Sequence, residues 1–188
     1  MRIISGSHKG KKITIPKDQK TRPLKDITKE SIFNIIAHSN KFRIDLSNSY
    51  ILDLFSGVGS FGLECLSRGV KKVIFVENYK GVIPILKKNL DNFKQISNFE
   101  ILNKDIYNEN LFFNFNDKFD IIFLDPPYKD KNINKIFDSI NNSKVLKNNG
   151  IIILHRHRNE REMFSTKLKK VEEKTYGLSK IMFFKYLN

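Results

Sequence analysis

The sequence predicts an α/β protein built on a mostly parallel, doubly wound sheet. Two observations carry that prediction. From about residue 46 onward, short apolar runs alternate with longer amphipathic stretches, as in a βαβ series. The first run also ends in a glycine-rich turn, where such sheets pass from strand to helix. Residues 50–55, 72–77, 99–103, 119–125 and 150–155 are short, β-branched or aromatic and continuous, as strands buried on both faces are. Helices are expected over residues 60–68, 80–93, 132–142 and 159–168. The tail departs from this rhythm, because residues 170–175 and 180–186 read as strands joined through Tyr176-Gly177-Leu178-Ser179, an antiparallel hairpin. Ahead of the series, residues 2–4 and 11–15 have strand composition around His8-Lys9-Gly10. Thr21-Arg22-Pro23 then breaks the chain before a helix near Asp26–His38, which gathers Ile27, Ile32, Phe33, Ile35 and Ile36 largely on one face.

A length of 188 residues accommodates one domain with a small appendage, and 40% hydrophobic content suffices for a real core. The expected division is an N-terminal extension, residues 1–45, and a catalytic domain, residues 46–188. No apolar run reaches 18 residues and residues 1–10 lack a signal-peptide core, so a soluble, cytoplasmic monomer with no membrane partner is expected. Cys65 is the single cysteine, and the four histidines are scattered without zinc-ligand spacing, so no metal is expected. Cys65 falls within an expected helix and reads as a core residue, which argues against thiol chemistry on pyrimidine carbon-5.

The net charge of +14 needs care, because Lys, Ile and Asn supply 72 of the residues, a bias that AT-rich codons produce unaided. Distribution says more. Residues 1–25 hold eight cations (Arg2, Lys9, Lys11, Lys12, Lys17, Lys20, Arg22 and Lys25) against one acid, Asp18, so half of the net charge sits there. A clustered basic face is the electrostatic footprint of a phosphate-backbone binder.

The glycine turn reads Asp53-Leu54-Phe55-Ser56-Gly57-Val58-Gly59-Ser60-Phe61-Gly62, a G-x-G-x-x-G pattern opening a helix. Glu77 closes the second strand 20 residues after Gly57, where a carboxylate can accept from ribose hydroxyls, so a nucleoside-containing cofactor is expected. NAD and S-adenosylmethionine both satisfy that much. Asp53, an acid inside an apolar strand, sits badly beside a pyrophosphate and suits a cofactor carrying an amino group and a sulfonium. The second discriminating feature is Asp125-Pro126-Pro127-Tyr128 at the end of the fourth strand, opening onto the same crevice.

D-x-F-x-G-x-G followed by D-P-P-Y resembles the Rossmann-like S-adenosylmethionine-dependent methyltransferases that act on exocyclic amino groups. That resemblance implies that Asp125 and the Pro126 carbonyl accept from the target NH2, with Pro127 stiffening the turn and Tyr128 stacking on the base. An aryl amine is a poor nucleophile, and two acceptors can hold its nitrogen pyramidal and in line with the sulfonium methyl. The base must leave its stack, which favours an unpaired nucleotide. The resemblance also implies cofactor contacts from Asp53, Phe55, Gly57, Gly59, Glu77, Asn78 and Asp125, and from Asp105 to the adenine amino group.

The N-terminal segment narrows the likeness. Arg2-Ile3-Ile4-Ser5-Gly6, Lys9-Gly10, Pro16, Thr21-Arg22-Pro23 and Lys29-Glu30-Ser31-Ile32-Phe33-Asn34-Ile35 resemble the opening of the bacterial RsmD family. The likeness runs essentially the whole length, including Leu63-Glu64-Cys65-Leu66-Ser67-Arg68-Gly69. It implies N2-methylation of guanine 966 of 16S rRNA, in a small ribosomal subunit or an assembly intermediate, with Arg2, Lys9, Lys11, Lys12 and Arg22 gripping RNA. His155-Arg156-His157-Arg158 departs from the family, whose members commonly carry an acid there, and no catalytic role is expected of it. The alternative is a DNA adenine-N6 or cytosine-N4 methyltransferase, which usually needs an inserted recognition domain that this length does not accommodate. A protein-glutamine methyltransferase more often shows Asn where this chain has Asp125, and a non-catalytic cofactor-binding module would make Asp125 dispensable.

Overall fold

A computed structural model describes residues 1–16, 24–93, 96–108, 110–161, 164 and 167–187. The apolar runs form one seven-stranded sheet. Strands β1 (Tyr50–Leu54), β2 (Lys72–Val76), β3 (Phe99–Leu102), β4 (Phe119–Leu124) and β5 (Leu146–His157) are parallel, while β6 (Leu168–Tyr176) and β7 (Ser179–Tyr186) form the antiparallel hairpin. Their order is β3-β2-β1-β4-β5-β7-β6. Leu52 of β1 pairs with Ile74 on one side and Ile122 on the other, so the strand order reverses between β1 and β4. A crevice opens beyond the carboxyl ends of strands at such a switch point.

Successive side chains of a strand point to opposite faces, so each continuous apolar run feeds two layers. Ile51, Val73, Phe75, Ile121, Phe123 and Ile153 meet Phe33 of helix α1 (Asp26–His38), Phe61 of α2 (Ser60–Ser67) and Leu86 of α3 (Ile83–Asp91). Leu52, Ile74, Ile122 and Leu124 face α4 (Ile133–Ser143), whose Ile133, Ile136, Phe137 and Ile140 form one stripe at i, i+3, i+4 and i+7. At the centre of the first layer Phe61 stacks on Phe123 at 4.1 Å and on Phe33 at 5.3 Å. Burying a side chain of that size contributes about 1.5–3 kcal/mol.

The N-terminal hairpin is weaker as a ladder than its composition predicts. Arg2 and Lys12 form one antiparallel bridge, and neither flank reaches strand length. The reason is competition for backbone N–H groups: Ile4 and Ser5 donate to the Glu64 carboxylate of α2 (2.8 and 2.9 Å), and Thr14 donates to Asn89 of α3 (2.8 Å). The segment is thereby stitched to the sheet domain, and Ile3, Ile13, Leu24, Ile32 and Phe33 share the first core layer. Lys29, wholly buried, donates to the Arg2 carbonyl (2.7 Å) and stands 3.7 Å from Glu64. Burial lowers the pKa of its ammonium, and the Glu64 charge opposes that shift.

The helix expected over residues 159–168 falls partly outside the described residues and is not seen in the rest. Among the described residues of that stretch none is helical, residues 162, 163, 165 and 166 lie outside the described set, and Leu168 already opens β6. Tertiary contacts override the helix-favouring composition. Phe164 packs its ring 4.8 Å from both Phe137 and Phe184, and the Glu160 carbonyl accepts from Lys180. β5 is correspondingly longer than predicted at both ends, running to His157, where it pairs with Ser179. Among the described residues no helix is long and apolar enough to cross a membrane.

Candidate active site

The crevice begins where β1 ends. Phe55 takes a left-handed conformation (φ 56°) that turns the chain out of the strand, and such backbone strain in a non-glycine residue costs about 1–3 kcal/mol and gathers at functional sites. Ser56 N–H then donates to the Val76 carbonyl (3.2 Å), pinning the loop to β2. Gly59, at φ 83°, caps α2, and a Cβ there would meet Leu86 Cδ1 at 2.6 Å, so this glycine lets the loop pack against α3. Glu77 follows β2 and accepts three backbone bonds: Gly57 N–H at Oε2 (2.8 Å), and Asn78 and Tyr79 N–H at Oε1 (2.9 and 2.8 Å). A carboxylate offers about four acceptor positions, so one remains for a ligand.

Asp53 lies behind this loop. It is 1% exposed, and its Oδ2 accepts from Gly62 N–H of α2 at 3.0 Å. Burial pushes its carboxyl pKa well up; the Gly62 bond opposes the shift, and the charges of Asp125 and Glu77 add to it. Asp105 is exposed after β3 and accepts from Tyr107 N–H (3.0 Å), closing a turn.

The loop after β4 carries the second motif. Asp125 N–H reaches the Leu54 carbonyl at 3.4 Å, which sets the aspartate beside the end of β1. Behind it stand two consecutive residues of β5 that sequence reasoning left without a role. His155 is 5% exposed, and its Nδ1 is 2.8 Å from Asp125 Oδ1. Arg156 is 1% exposed and donates to the carbonyls of Pro127 (2.9 Å) and Asp130 (2.7 Å). Tyr107 O–H donates to the Asp130 carboxylate, linking the loops after β3 and β4, and burial with that bond raises the phenol pKa. Tyr128 stands edge-on to two imidazoles, 5.4 Å from His157 and 6.3 Å from His155.

Glu77, Asp105 and Asp125 thus follow the carboxyl ends of β2, β3 and β4, and the buried hydroxyls of Ser56 and Ser60 have no partner among the described residues. A lining so rich in acceptors fits a cationic nucleoside bearing hydrogen-bond donors, and it repels a pyrophosphate.

The family model described as Conserved hypothetical protein 95 matches residues 1–185. YlbH of Bacillus subtilis is 33% identical over 188 residues, covering 98% of each chain, and Ribosomal RNA small subunit methyltransferase D of Haemophilus influenzae is 31% identical over 179 residues, covering 95% of this chain and 90% of that one. The chain belongs to the RsmD family. Among solved structures, a Haemophilus influenzae protein superposes with a TM-score of 0.76 at 30% identity, covering 100% of this chain and 98% of the other. An Escherichia coli protein at 24% identity shares the fold with a TM-score of 0.81, covering 99% and 97%.

The cations expected to grip RNA in this RsmD-family chain are spread unevenly. The turn bearing Lys9 docks on the far end of α2, where Ser7 N–H donates to the Ser67 carbonyl (2.8 Å) and His8 N–H to Ser67 Oγ (3.0 Å). Lys11 is held by the Asn92 carbonyl and lies over the Phe93 ring, on which His8 also stacks. The Ser67 contacts sit about 12 Å, the length of α2, from the glycine loop. Arg2 and Lys12 are exposed at the bridge, and Arg22 lies outside the described residues. Exposed cations also follow the carboxyl ends of the central strands: Lys104 after β3 and Lys129 and Lys131 after β4, which sequence reasoning passed over, and Arg158 after β5, which the sequence marks as a family departure open to an added RNA contact.

Proposed function

We propose that this chain transfers a methyl group from S-adenosylmethionine to the exocyclic N2 of a guanine in 16S rRNA, acting as a cytoplasmic monomer on a small ribosomal subunit or an assembly intermediate. The observation that carries this reading is Asp125-Pro126-Pro127-Tyr128 at the carboxyl end of β4, next to the loop that β1 launches. S-adenosylmethionine supplies an electrophilic methyl. Glu77, Asn78 and Asp105 would receive its ribose and adenine donors, with Phe55, Gly57 and Gly59 shaping the wall and Asp53 bracing it from behind. Asp125 and the Pro126 carbonyl accept from the guanine amine, concentrating its lone pair on the reacting nitrogen. Pro127, fixed in φ, keeps that carbonyl aimed, and Tyr128 offers a face to a base taken out of its stack. The names of relatives that act on small-subunit rRNA support the substrate. The exposed cations Arg2, Lys9 and Lys12 with Lys104, Lys129, Lys131 and Arg158 supply phosphate contacts.

The test is nucleoside mass spectrometry of 16S rRNA from cells with and without the gene. Loss of one N2-methylguanosine, restored by the parent gene and not by an Asp125→Ala copy, is the expected outcome. An unchanged nucleoside profile contradicts the reading.

A further inference from the structure

We propose that His155 is a positioning residue of the methyl-transfer site, acting through Asp125; this rests on the amino-methyltransferase reading given above. The parallel register sets Leu154 beside Leu124, so the next residues of the two segments, His155 within β5 and Asp125 just after β4, become neighbours at the carboxyl end of β4. A carboxylate only accepts hydrogen bonds, so the 2.8 Å contact requires the imidazole to donate from Nδ1 to Oδ1. The terminal torsion of an aspartate is broad and roughly two-fold, and its two oxygens exchange freely unless one is tied. His155 ties Oδ1 to the protein and leaves Oδ2 for the target amine.

The far side of the same ring points to the same role. His155 Nε2 is buried and has no partner among the described residues. A buried nitrogen without a partner is costly, and an apolar side chain would fill the space without that penalty. The imidazole is therefore explained by its Nδ1 side, which faces Asp125. Arg156, the next residue, holds the backbone of the same loop at Pro127 and Asp130. Side chain and backbone of the aspartate loop are thus anchored by consecutive residues of one strand.

The experiment compares the full-length parent with His155→Leu and His155→Asn in single-turnover transfer from S-adenosylmethionine to unmethylated small-subunit RNA. Asparagine keeps a donor near the Nδ1 position, and leucine does not. We expect the single-turnover rate constant to fall about 10²-fold in His155→Leu, the order of loss that a small misplacement produces, with the half-saturating cofactor and RNA concentrations within twofold. We expect His155→Asn to recover at least tenfold of that loss. Melting temperatures identify a variant that fails to fold, and His155→Asn against the parent then decides alone: a tenfold or smaller loss upholds the role, a larger one overturns it. A His155→Leu protein that folds, binds cofactor and matches the parent single-turnover rate overturns the proposal, as does His155→Asn performing no better than His155→Leu. A parent that forms no N2-methylguanosine overturns the amino-methyltransferase reading and this proposal with it, an outcome distinct from a methylating parent matched by its leucine variant.

Discussion

Replacing Arg156 with methionine tests how the loop after β4, proposed above to hold the base, is kept in place. The guanidinium makes two bonds to loop carbonyls, Pro127 at 2.9 Å and Asp130 at 2.7 Å, and its nearby carboxylate, Glu160, stands at 3.8 Å. Hydrogen bonds from a charged donor are each worth about 1.5–3 kcal/mol, so roughly 3–6 kcal/mol of tethering is removed. Taking away a buried cation returns a desolvation cost of several kcal/mol, so global stability changes far less than the tether does. The fold therefore survives while Asp125 and Tyr128 lose their fixed position, and a displacement near 1 Å lowers the transfer rate by about 10²-fold. Arg156→Lys keeps the charge without the two-pronged geometry and should fall between the two. Single-turnover transfer reads the rate, and isothermal titration reads cofactor affinity, which should stay within about twofold. An Arg156→Met protein that binds cofactor and transfers methyl at the parent rate refutes the tether.

Other residues make separate predictions. Glu64→Ala strands the buried Lys29 and the N–H groups of Ile4 and Ser5, so urea denaturation should show a loss of about 3–5 kcal/mol, and a loss under 1 kcal/mol contradicts the stitching role. Asp53 has its folded pKa raised above its unfolded value near 4, so its favourable contribution is complete below about pH 4 and is lost as pH rises through the folded pKa. The stability of the parent relative to Asp53→Asn should accordingly decline as pH rises above about 4, and a flat or rising difference in a denaturation series would count against the buried acid. Neutralising Lys129, Lys131 and Arg158 together should lower the salt slope of RNA binding by about one for each phosphate that these cations cover. The same treatment of Lys9 and Lys11 should change it less; equal effects would return the grip to the N-terminal turn.

Much of the crevice was legible in local sequence because its chemistry sits in short contiguous motifs. Asp53 to Gly62 announces a strand, a turn and a helix start, and Asp125 to Tyr128 follows an apolar strand. The parallel strands were legible for the same reason, since burial on both faces leaves a continuous apolar run. Phe55 is an instructive exception: its composition continues β1, yet its left-handed backbone ends the strand. What stayed hidden depends on register and packing. His155 and Arg156 acquire their contacts with the Asp125 loop only because β5 lies beside β4, and the polar residues in an otherwise apolar run were the one signal, the same signal that singled out Asp53. Tyr107 with Asp130, and Glu64 with Ile4 and Ser5, join segments 23 and about 60 residues apart and leave no local pattern. The missing helix after β5 has the same origin, because Phe164 serves the second core layer rather than a helix face.

Purified protein shows whether Asp125 holds a guanine amine for methylation. Parent and Asp125→Ala proteins are each incubated with S-adenosylmethionine bearing a deuterated methyl and with unmethylated small subunits, and the RNA is digested for mass spectrometry. Label is expected in N2-methylguanosine at one site with the parent, with a loss of at least about 10²-fold with Asp125→Ala at unchanged cofactor affinity. Label in another nucleoside or in ribosomal protein, or equal labelling by the two proteins, would contradict that role.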